Sequence, residues 1–338
     1  DEILRSIHTT PEAPDLQATL AMMHERHARA VAMEVSSHAL ALHRVGGSHF
    51  KIAGFTNLTQ DHLDFHGSMD RYFQAKASLF RFGFSDLAII NIDDTYGSKL
   101  LTQIEIPAVT VSRAGKADWF FEEITKFNRG TSVKIRGRDG ILIEGTTKLL
   151  GDYNLDNLLM AVAIAVISGI DPIEISSNLQ LYTGAPGRME QVELGQNFMA
   201  FVDYAHTSDA TINVLKSARE FTSGKLIAVL GCGGDRDKSK RPLMGQALTL
   251  ADYPIFTSDN PRSEDPHQIL KEMTTGISHN GEIIVDRRAA IARAVELAQA
   301  GDVVAVLGKG HETGQEINGE KFSFDDRKEL AQAIAGKK

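Results

Sequence analysis

Short apolar runs alternate with longer amphipathic ones along most of the chain. Residues 31–35, 52–56, 87–92 and 108–111 are apolar, rich in β-branched side chains and bounded by polar residues or glycine. This pattern predicts short buried strands. Residues 69–82 carry aromatic and apolar positions at helical spacing and predict a helix. Residues 131–136 and 140–144 predict a hairpin about Arg138-Asp139-Gly140, where Asp-Gly favours a tight turn. Residues 154–167 are apolar nearly all round, the pattern of a buried helix. Two glycines and a proline then crowd into Thr183-Gly184-Ala185-Pro186-Gly187-Arg188. That linker signal divides the chain into residues 1–184 and 185–338. Beyond it, residues 198–202, 226–230, 253–257, 282–285 and 303–307 predict five strands separated by helical segments. The expectation is an α/β fold, with a mostly parallel sheet flanked by helices followed by a doubly wound parallel sheet.

Composition narrows the picture. A length of 338 residues with 42% hydrophobic residues supports two or three cored domains. The formal charge of −8 argues against a dedicated nucleic-acid binder, yet leaves room for local basic pockets. A single cysteine, Cys232, excludes an intrachain disulfide and a cysteine-based zinc site. It fits a reducing compartment, and the cytoplasm is the expected location. The most apolar run, residues 158–167, is shorter than the roughly 20 residues that span a bilayer. No membrane partner is expected.

In a parallel sheet, ligands sit at the carboxyl ends of strands, so the loops there carry the chemistry. After the first run comes Glu34-Val35-Ser36-Ser37. Its carboxylate suits a metal or a water, while Ser36 or Ser37 equally suits a helix cap. After the second run, Asp61, His62, Asp64 and His66 fall within six residues. They read either as ligands for a divalent ion or as a solvated polar loop. Lys76 lies in largely apolar company, which either depresses its pKa or leaves it snorkelling to solvent.

In the second half, Gly231-Cys232-Gly233-Gly234 would let the backbone approach a ligand, or simply make a turn. Arg236, Lys238, Lys240 and Arg241 follow with positive charge. The dinucleotide fingerprint fails, because Arg236 stands where its third glycine belongs. Asp259-Asn260-Pro261-Arg262 can read a zwitterion, the acid taking the ammonium and the arginine a carboxylate. The alternative is a turn with a helix cap at Glu264 or Asp265. Gly308-Lys309-Gly310-His311-Glu312 could join the same pocket or merely end a strand. No Ser-His-Asp arrangement is compelling, and the scattered Met and Phe residues read as core.

Taken together these motifs resemble the Mur ligase family, over nearly the whole chain. The agreement runs through residues 33–40, 56–66, 187–190 with 202–207, 231–245, 259–262 and 308–312. The resemblance implies a central ATPase domain, N-terminally incomplete, followed by a Rossmann-like domain. It implies that Glu34 and His62 help hold magnesium, and that Lys76 is carbamylated and holds a second magnesium. These three are the catalytic set. Thr9, Thr10, Ser36 and Arg44 match contacts to a UDP-muramoyl dipeptide. Asn154, Arg188 and Asp203 match positions near the ATP base and ribose. Arg236, Asp259, Asn260, Pro261, Arg262, Gly308 and Glu312 match the amino-acid pocket. The Asp-Asn-Pro-Arg run resembles the form used for meso-diaminopimelate, whose second carboxylate Arg262 can pair.

The implied activity is ATP- and Mg2+-dependent amide formation in peptidoglycan precursor synthesis. It joins meso-diaminopimelate to UDP-N-acetylmuramoyl-L-alanyl-D-glutamate through an acyl phosphate. A monomer without nucleic-acid partners is expected. Two departures stand out. No Gly-x-x-x-x-Gly-Lys-[Ser/Thr] phosphate loop occurs, and the chain opens on Asp1, so a C-terminal fragment, inactive alone, is expected. His8 and Leu42 also stand where relatives often carry Asn and Gln. The rival readings are a lysine-adding Mur ligase or other amino-acid-adding relative, a folylpolyglutamate synthase relative, a non-catalytic amino-acid-binding module, and a nucleotide-dependent dehydrogenase.

Overall fold

The computed structural model describes Ser6 and residues 8–127, 130–278 and 281–337. The chain divides into two compact units. The first comprises Asp1–Glu123, Val133–Glu144 and Asp156–Ser176; the second comprises Ile124–Ser132, Gly145–Leu155 and Ser177–Lys338. The elements up to residue 178 are, in order, α1 (Ala13–Glu25), α2 (Ser37–Ala41), β1 (Phe50–Phe55), α3 (Leu63–His66), α4 (Met69–Ala77), β2 (Ser85–Asn91), α5 (Thr95–Leu101), β3 (Ala108–Ser112), β4 (Trp119–Phe127), β5 (Gly130–Arg136), β6 (Leu142–Thr147), α6 (Asp152–Ile167) and α7 (Pro172–Asn178). Then follow β7 (Glu190–Gln191), β8 (Met199–Asp203), α8 (Ser208–Glu220), β9 (Leu226–Cys232), α9 (Lys240–Leu248), β10 (Tyr253–Ser258), α10 (Pro266–Met273), β11 (Glu282–Ile283), α11 (Arg287–Leu297), β12 (Val303–Leu307), β13 (Gly314–Ile317), β14 (Glu320–Ser323) and α12 (Asp326–Gly336).

Among the described residues, the first sheet runs β1-β2-β3-β4-β5-β6. Its first four strands pair in parallel. Phe55, Tyr72, Phe73, Phe80, Ile90 and Leu100 share one buried core. The Asp-Gly turn forms as its composition predicts. Asp139 has φ 56° and Gly140 φ 77°, and the Ile141 N–H donates to the Arg138 carbonyl at 3.1 Å. Two left-handed central residues match the twist of the flanking strands.

Three expectations need correction. Residues 31–35 are not a strand. Within the described residues they enter no ladder, and Val31 is 47% exposed. A side chain takes the place of a neighbouring strand there: the Thr10 hydroxyl donates to the Glu34 carbonyl at 2.9 Å and accepts from the Ser36 N–H at 3.0 Å. The helix expected over 69–82 stops at Ala77. Its end tightens into three-residue hydrogen bonds, Leu79 to Lys76 and Phe80 to Ala77. The strand expected over 282–285 is only Glu282–Ile283, because the Val285 carbonyl accepts from the N–H of Ser258 and the hydroxyl of Thr257 instead.

The second sheet runs β11-β10-β9-β12-β8-β7. The four pairings among β8 to β12 are parallel, and β7 pairs antiparallel with β8. Alternate residues face opposite layers. Phe201, Ala228, Leu230, Phe256 and Ala305 pack with α8, α9 and α10. Val202, Ile227, Val229, Ile255 and Val304 pack with α11 and α12. A sheet buried on both faces explains why its strands read as continuous apolar runs. The chain steps outward from β9 to β10 and β11, then returns to put β12 on the other side of β9. Such a reversal opens a crevice at the carboxyl ends of the strands, where ligands bind.

Candidate functional site

The first unit gathers polar side chains around Thr10 and Tyr72. Thr10 is fully buried, and its carbonyl accepts from Arg44 at 3.3 Å. Arg44 also pairs with Glu12 at 2.8 Å. Ser36 caps α2 by accepting from the Ala39 N–H at 3.2 Å, so the cap reading holds for Ser36. Thr10, Ser36, Arg44 and the Glu34 backbone are thus brought together, while Thr9 is exposed beside them.

Tyr72, buried on α4, links the three residues expected to handle metal. The Lys76 amine lies 5.6 Å from its ring centroid, and the His62 ring centroid lies 5.9 Å away. Burial and the charges of Asp61 and Glu34 push the tyrosine hydroxyl up to about 12. Lys76 does not behave as a freely solvated lysine. Desolvation lowers its pKa, opposed by the Glu34 carboxylate. His62 sits at a left-handed φ of 54° ahead of α3, a conformation that histidine adopts more readily than most residues. The His38 ring lies 4.8 Å from that of His62 and 5.6 Å from that of His66. Burial lowers the pKa of His38 and His66. His66 is hydrogen-bonded to the Ser37 hydroxyl at 2.9 Å, which gives it a structural task.

In the second unit, Asp203 at the end of β8 is buried and accepts three hydrogen bonds. They come from the Tyr153 hydroxyl at 2.7 Å and the N–H groups of Met189 and Ala205 at 2.8 Å. Burial raises its pKa against these bonds and the nearby Arg188 charge. Asn154 is also buried and donates to the carbonyls of Leu150 at 2.9 Å and Arg188 at 3.4 Å. Arg188 itself is exposed and lies over the Tyr204 ring at 5.3 Å. Asn154, Arg188 and Asp203 therefore form one neighbourhood. Gly187 is required there: a Cβ would fall 2.4 Å from the His311 nitrogen, and its φ is 72°.

The loops after β9, β10 and β12 meet at the crevice. Asn260 donates to Glu312 at 3.1 Å. Lys309 donates to Asn260 and to Glu312, each at 3.0 Å, and lies 3.6 Å from Asp259. Gly308 abuts the Asp259 carboxylate, where a Cβ would come within 2.9 Å. Arg262, at φ 51°, is pinned by its backbone to Glu316 and Asn318. Its guanidinium donates to the Gly234 carbonyl at 2.7 Å and lies 3.5 Å from Glu316. Arg236 is exposed, its stem lying against Gly233. The glycines expected to admit a ligand meet neighbouring backbone: a Cβ on Gly234 would fall 1.9 Å from the Pro261 carbonyl in the loop after β10, and one on Gly231, within β9, 2.5 Å from that of Thr257 on β10. Asp265 caps α10 through the His267 N–H at 3.0 Å, whereas Glu264 turns away to an ion pair.

Buried charged residues support this frame, and Arg241, expected from the sequence to offer charge to anions, is instead committed to two carboxylates of the protein. Arg241, 1% exposed, grips Glu264 at 2.7 and 3.0 Å and Glu272 at 2.6 Å. Glu264 in turn accepts from the Asp235 N–H at 2.6 Å, tying the β9 loop to the β10 loop. Arg287 and Asp326 are fully buried and paired at 2.6 Å, and Arg287 also donates to the Leu307 carbonyl at 2.8 Å. Lys309, read from the sequence only as part of the run 308–312, is also fully buried. A lysine between two glycines after an apolar strand was the available signal for it.

Comparison with known proteins agrees with this architecture. Residues 2–165 match the Mur ligase middle domain, and residues 187–310 match the Mur ligase glutamate ligase domain. The chain is 48% identical to a Streptomyces coelicolor UDP-N-acetylmuramoyl-L-alanyl-D-glutamate–2,6-diaminopimelate ligase, covering 99% of this chain and 68% of that protein. The Aquifex aeolicus protein of the same name is 43% identical, with 99% and 69% covered. A solved structure of a ligase so named is 40% identical with a TM-score of 0.66, covering 97% of this chain and 69% of that one. A Thermotoga maritima MurF ligase in complex with ADP shares the fold at 14% identity, with a TM-score of 0.62 over 90% of this chain and 65% of that one. The chain belongs to the Mur ligase family.

Proposed function

We propose that this chain serves ATP-dependent amide formation, joining meso-diaminopimelate to the D-glutamyl carboxylate of UDP-N-acetylmuramoyl-L-alanyl-D-glutamate with release of ADP and phosphate. Residues 1–184 would belong to the ATP-binding ligase domain and residues 185–338 to the amino-acid-binding domain. The observation that carries the reading is the meeting of Asp259, Asn260, Arg262 and Glu312 where the second sheet reverses. Asp259 and Glu312 offer carboxylates to an ammonium. Arg262 and Arg236 offer guanidinium forks to carboxylates.

A carboxylate is a poor electrophile at neutral pH. Its oxygen therefore attacks the γ-phosphorus of ATP and ADP leaves. The neutral amine of the amino acid then attacks the acyl carbon, loses a proton and expels phosphate. Holding the amine in place lowers the entropic part of that barrier. Asn154, Arg188 and Asp203 would flank the nucleotide. Thr9, Thr10, Ser36 and Arg44 would hold the UDP-linked substrate.

Among the described residues, no group of three or more His, Cys, Asp or Glu side chains comes together to hold a metal. Glu34, His62 and a carbamylated Lys76 nevertheless fit Mg2+, since carbamylation would turn a cation into a second hard oxygen donor beside the Glu34 carboxylate. The depressed Lys76 pKa favours the neutral amine, the form that adds to carbon dioxide with loss of a proton. Bound magnesium would supply positive charge to the transferring phosphoryl group. The described residues include no helix long and apolar enough to cross a membrane, and a cytoplasmic monomer is proposed. Diaminopimelate-dependent ADP release by the full-length gene product tests the reading. No release with all three substrates present would overturn it.

A further inference from the structure

The amino-acid pocket holds a cation for which the reaction scheme has no task. Lys309 is 0% exposed at the end of β12. Burying an ammonium costs several kcal/mol unless it is paired and hydrogen-bonded. Here it is met by Asn260 Oδ1 and Glu312, both at 3.0 Å, and by Asp259 at 3.6 Å. Asn260 Oδ1 accepts a second bond, from the Glu316 N–H at 3.0 Å. Both lone pairs of that oxygen are then used. The amide nitrogen must face the other way, and it donates to Glu312 at 3.1 Å.

The charges around Lys309 do not cancel. Asp259, Glu312 and the buried Asp326 are acidic, while Lys309 and the buried Arg287 are basic, and Asp259 and Glu312 both act on Arg287. The cluster carries one carboxylate in excess, suited to one more cation.

Resting on the proposed reading of this pocket, we infer that Lys309 is a positioning residue for amino-acid specificity. Together with the Glu316 N–H it holds the Asn260 amide as a donor, and it holds Asp259 and Glu312 as acceptors with one charge to spare. An α-amino acid then enters in a single orientation, with its ammonium on the carboxylates and its carboxylate on the Asn260 amide. Without Lys309, Asn260 Oδ1 keeps only the Glu316 N–H, and Asp259 and Glu312 lose the cation that holds them in place, so the two orientations are less sharply distinguished.

The test uses the full-length gene product. Lys309→Met is expected to raise the KM for diaminopimelate roughly tenfold or more, the scale of one lost hydrogen bond to a charged group. The KM for ATP should stay within about threefold. Glu312→Gln compared with Glu312→Gln/Lys309→Met keeps the test open should the single lysine variant fail to fold, because the double variant removes both partners of one ion pair. The double variant is expected to bind diaminopimelate more weakly than Glu312→Gln alone. Equal diaminopimelate KM values in those two variants would overturn the role of Lys309 while leaving the pocket assignment intact. Parallel rises in both KM values would mark a loosened fold and also overturn it. A wild-type enzyme indifferent to diaminopimelate would overturn the pocket reading and this inference together.

Discussion

The two units keep their polar groups in different states. In the second, Asn260, Lys309 and Glu312 bind one another through charge-assisted hydrogen bonds, with Asp259 3.6 Å from Lys309, backed by the Arg241–Glu264 and Arg287–Asp326 pairs. In the first, Glu34, His62 and Lys76 gather about Tyr72 without hydrogen bonds to each other among the described residues. One site is organised before anything binds. The other has its groups nearby, and on the proposed reading it would be completed by bound cations and by modification of its lysine. The difference suits the proposed chemistry. Selecting one amino acid needs fixed donors and acceptors, whereas phosphoryl transfer draws its stabilising charge from bound cations.

The largest expected effect breaks the incomplete site. Lys76→Ala should lower kcat of the full-length enzyme by roughly 10²–10³ or more, the scale of losing one electrostatic contributor. Added small carboxylates should restore part of the rate. Full activity in the variant would remove Lys76 from the site. Next comes the scaffold of the ordered site. Arg287→Ala strands the Asp326 charge in the core and should cost about 3–5 kcal/mol of stability, read by urea denaturation. A cost near zero would mean that this pair does not hold the pocket's frame.

A smaller loss is expected from Arg262→Ala, about 2–4 kcal/mol in diaminopimelate binding, seen as a raised KM with little change for ATP. Unchanged diaminopimelate kinetics would contradict the double-carboxylate reading. The smallest effect concerns Glu264, which Arg241 holds down to about 2. A depressed carboxyl stabilises the fold above its unfolded pKa of 4.5, and that contribution fades as pH falls toward 2. It is about 1 kcal/mol after solvent screening. Glu264→Gln should flatten the melting temperature against pH in this window, and an unaltered slope would dismiss the pair as a stabiliser.

Much of this comparison was legible in the residues. Apolar runs with glycine or polar bounds located the five parallel strands of the second sheet, because strands buried on both faces leave an unbroken apolar trace. Asp139-Gly140 announced its turn, since only a few residues tolerate two left-handed positions in succession. Residues 31–35 misled because an apolar run becomes a strand only beside a ladder, and Thr10 meets that backbone instead. The burial of Lys309 and Arg287 was not legible for a different reason. A charged residue reads as surface, and the partners that justify its burial lie 49 residues away at Asn260 and 39 away at Asp326. The glycines were read as admitting a ligand or making a turn, and the groups that approach Gly231 and Gly234 are neighbouring backbone carbonyls.

The most direct test of the central claim, that the ordered site reads an amino acid with two carboxylates, is a substrate comparison in the full-length gene product. With ATP and the UDP-linked dipeptide supplied, ADP release is measured against meso-diaminopimelate and against L-lysine at equal concentration. Release that depends on diaminopimelate and falls at least about tenfold with lysine is the predicted result, since lysine leaves Arg262 without its carboxylate partner. Equal use of the two amino acids, or preference for lysine, would contradict it.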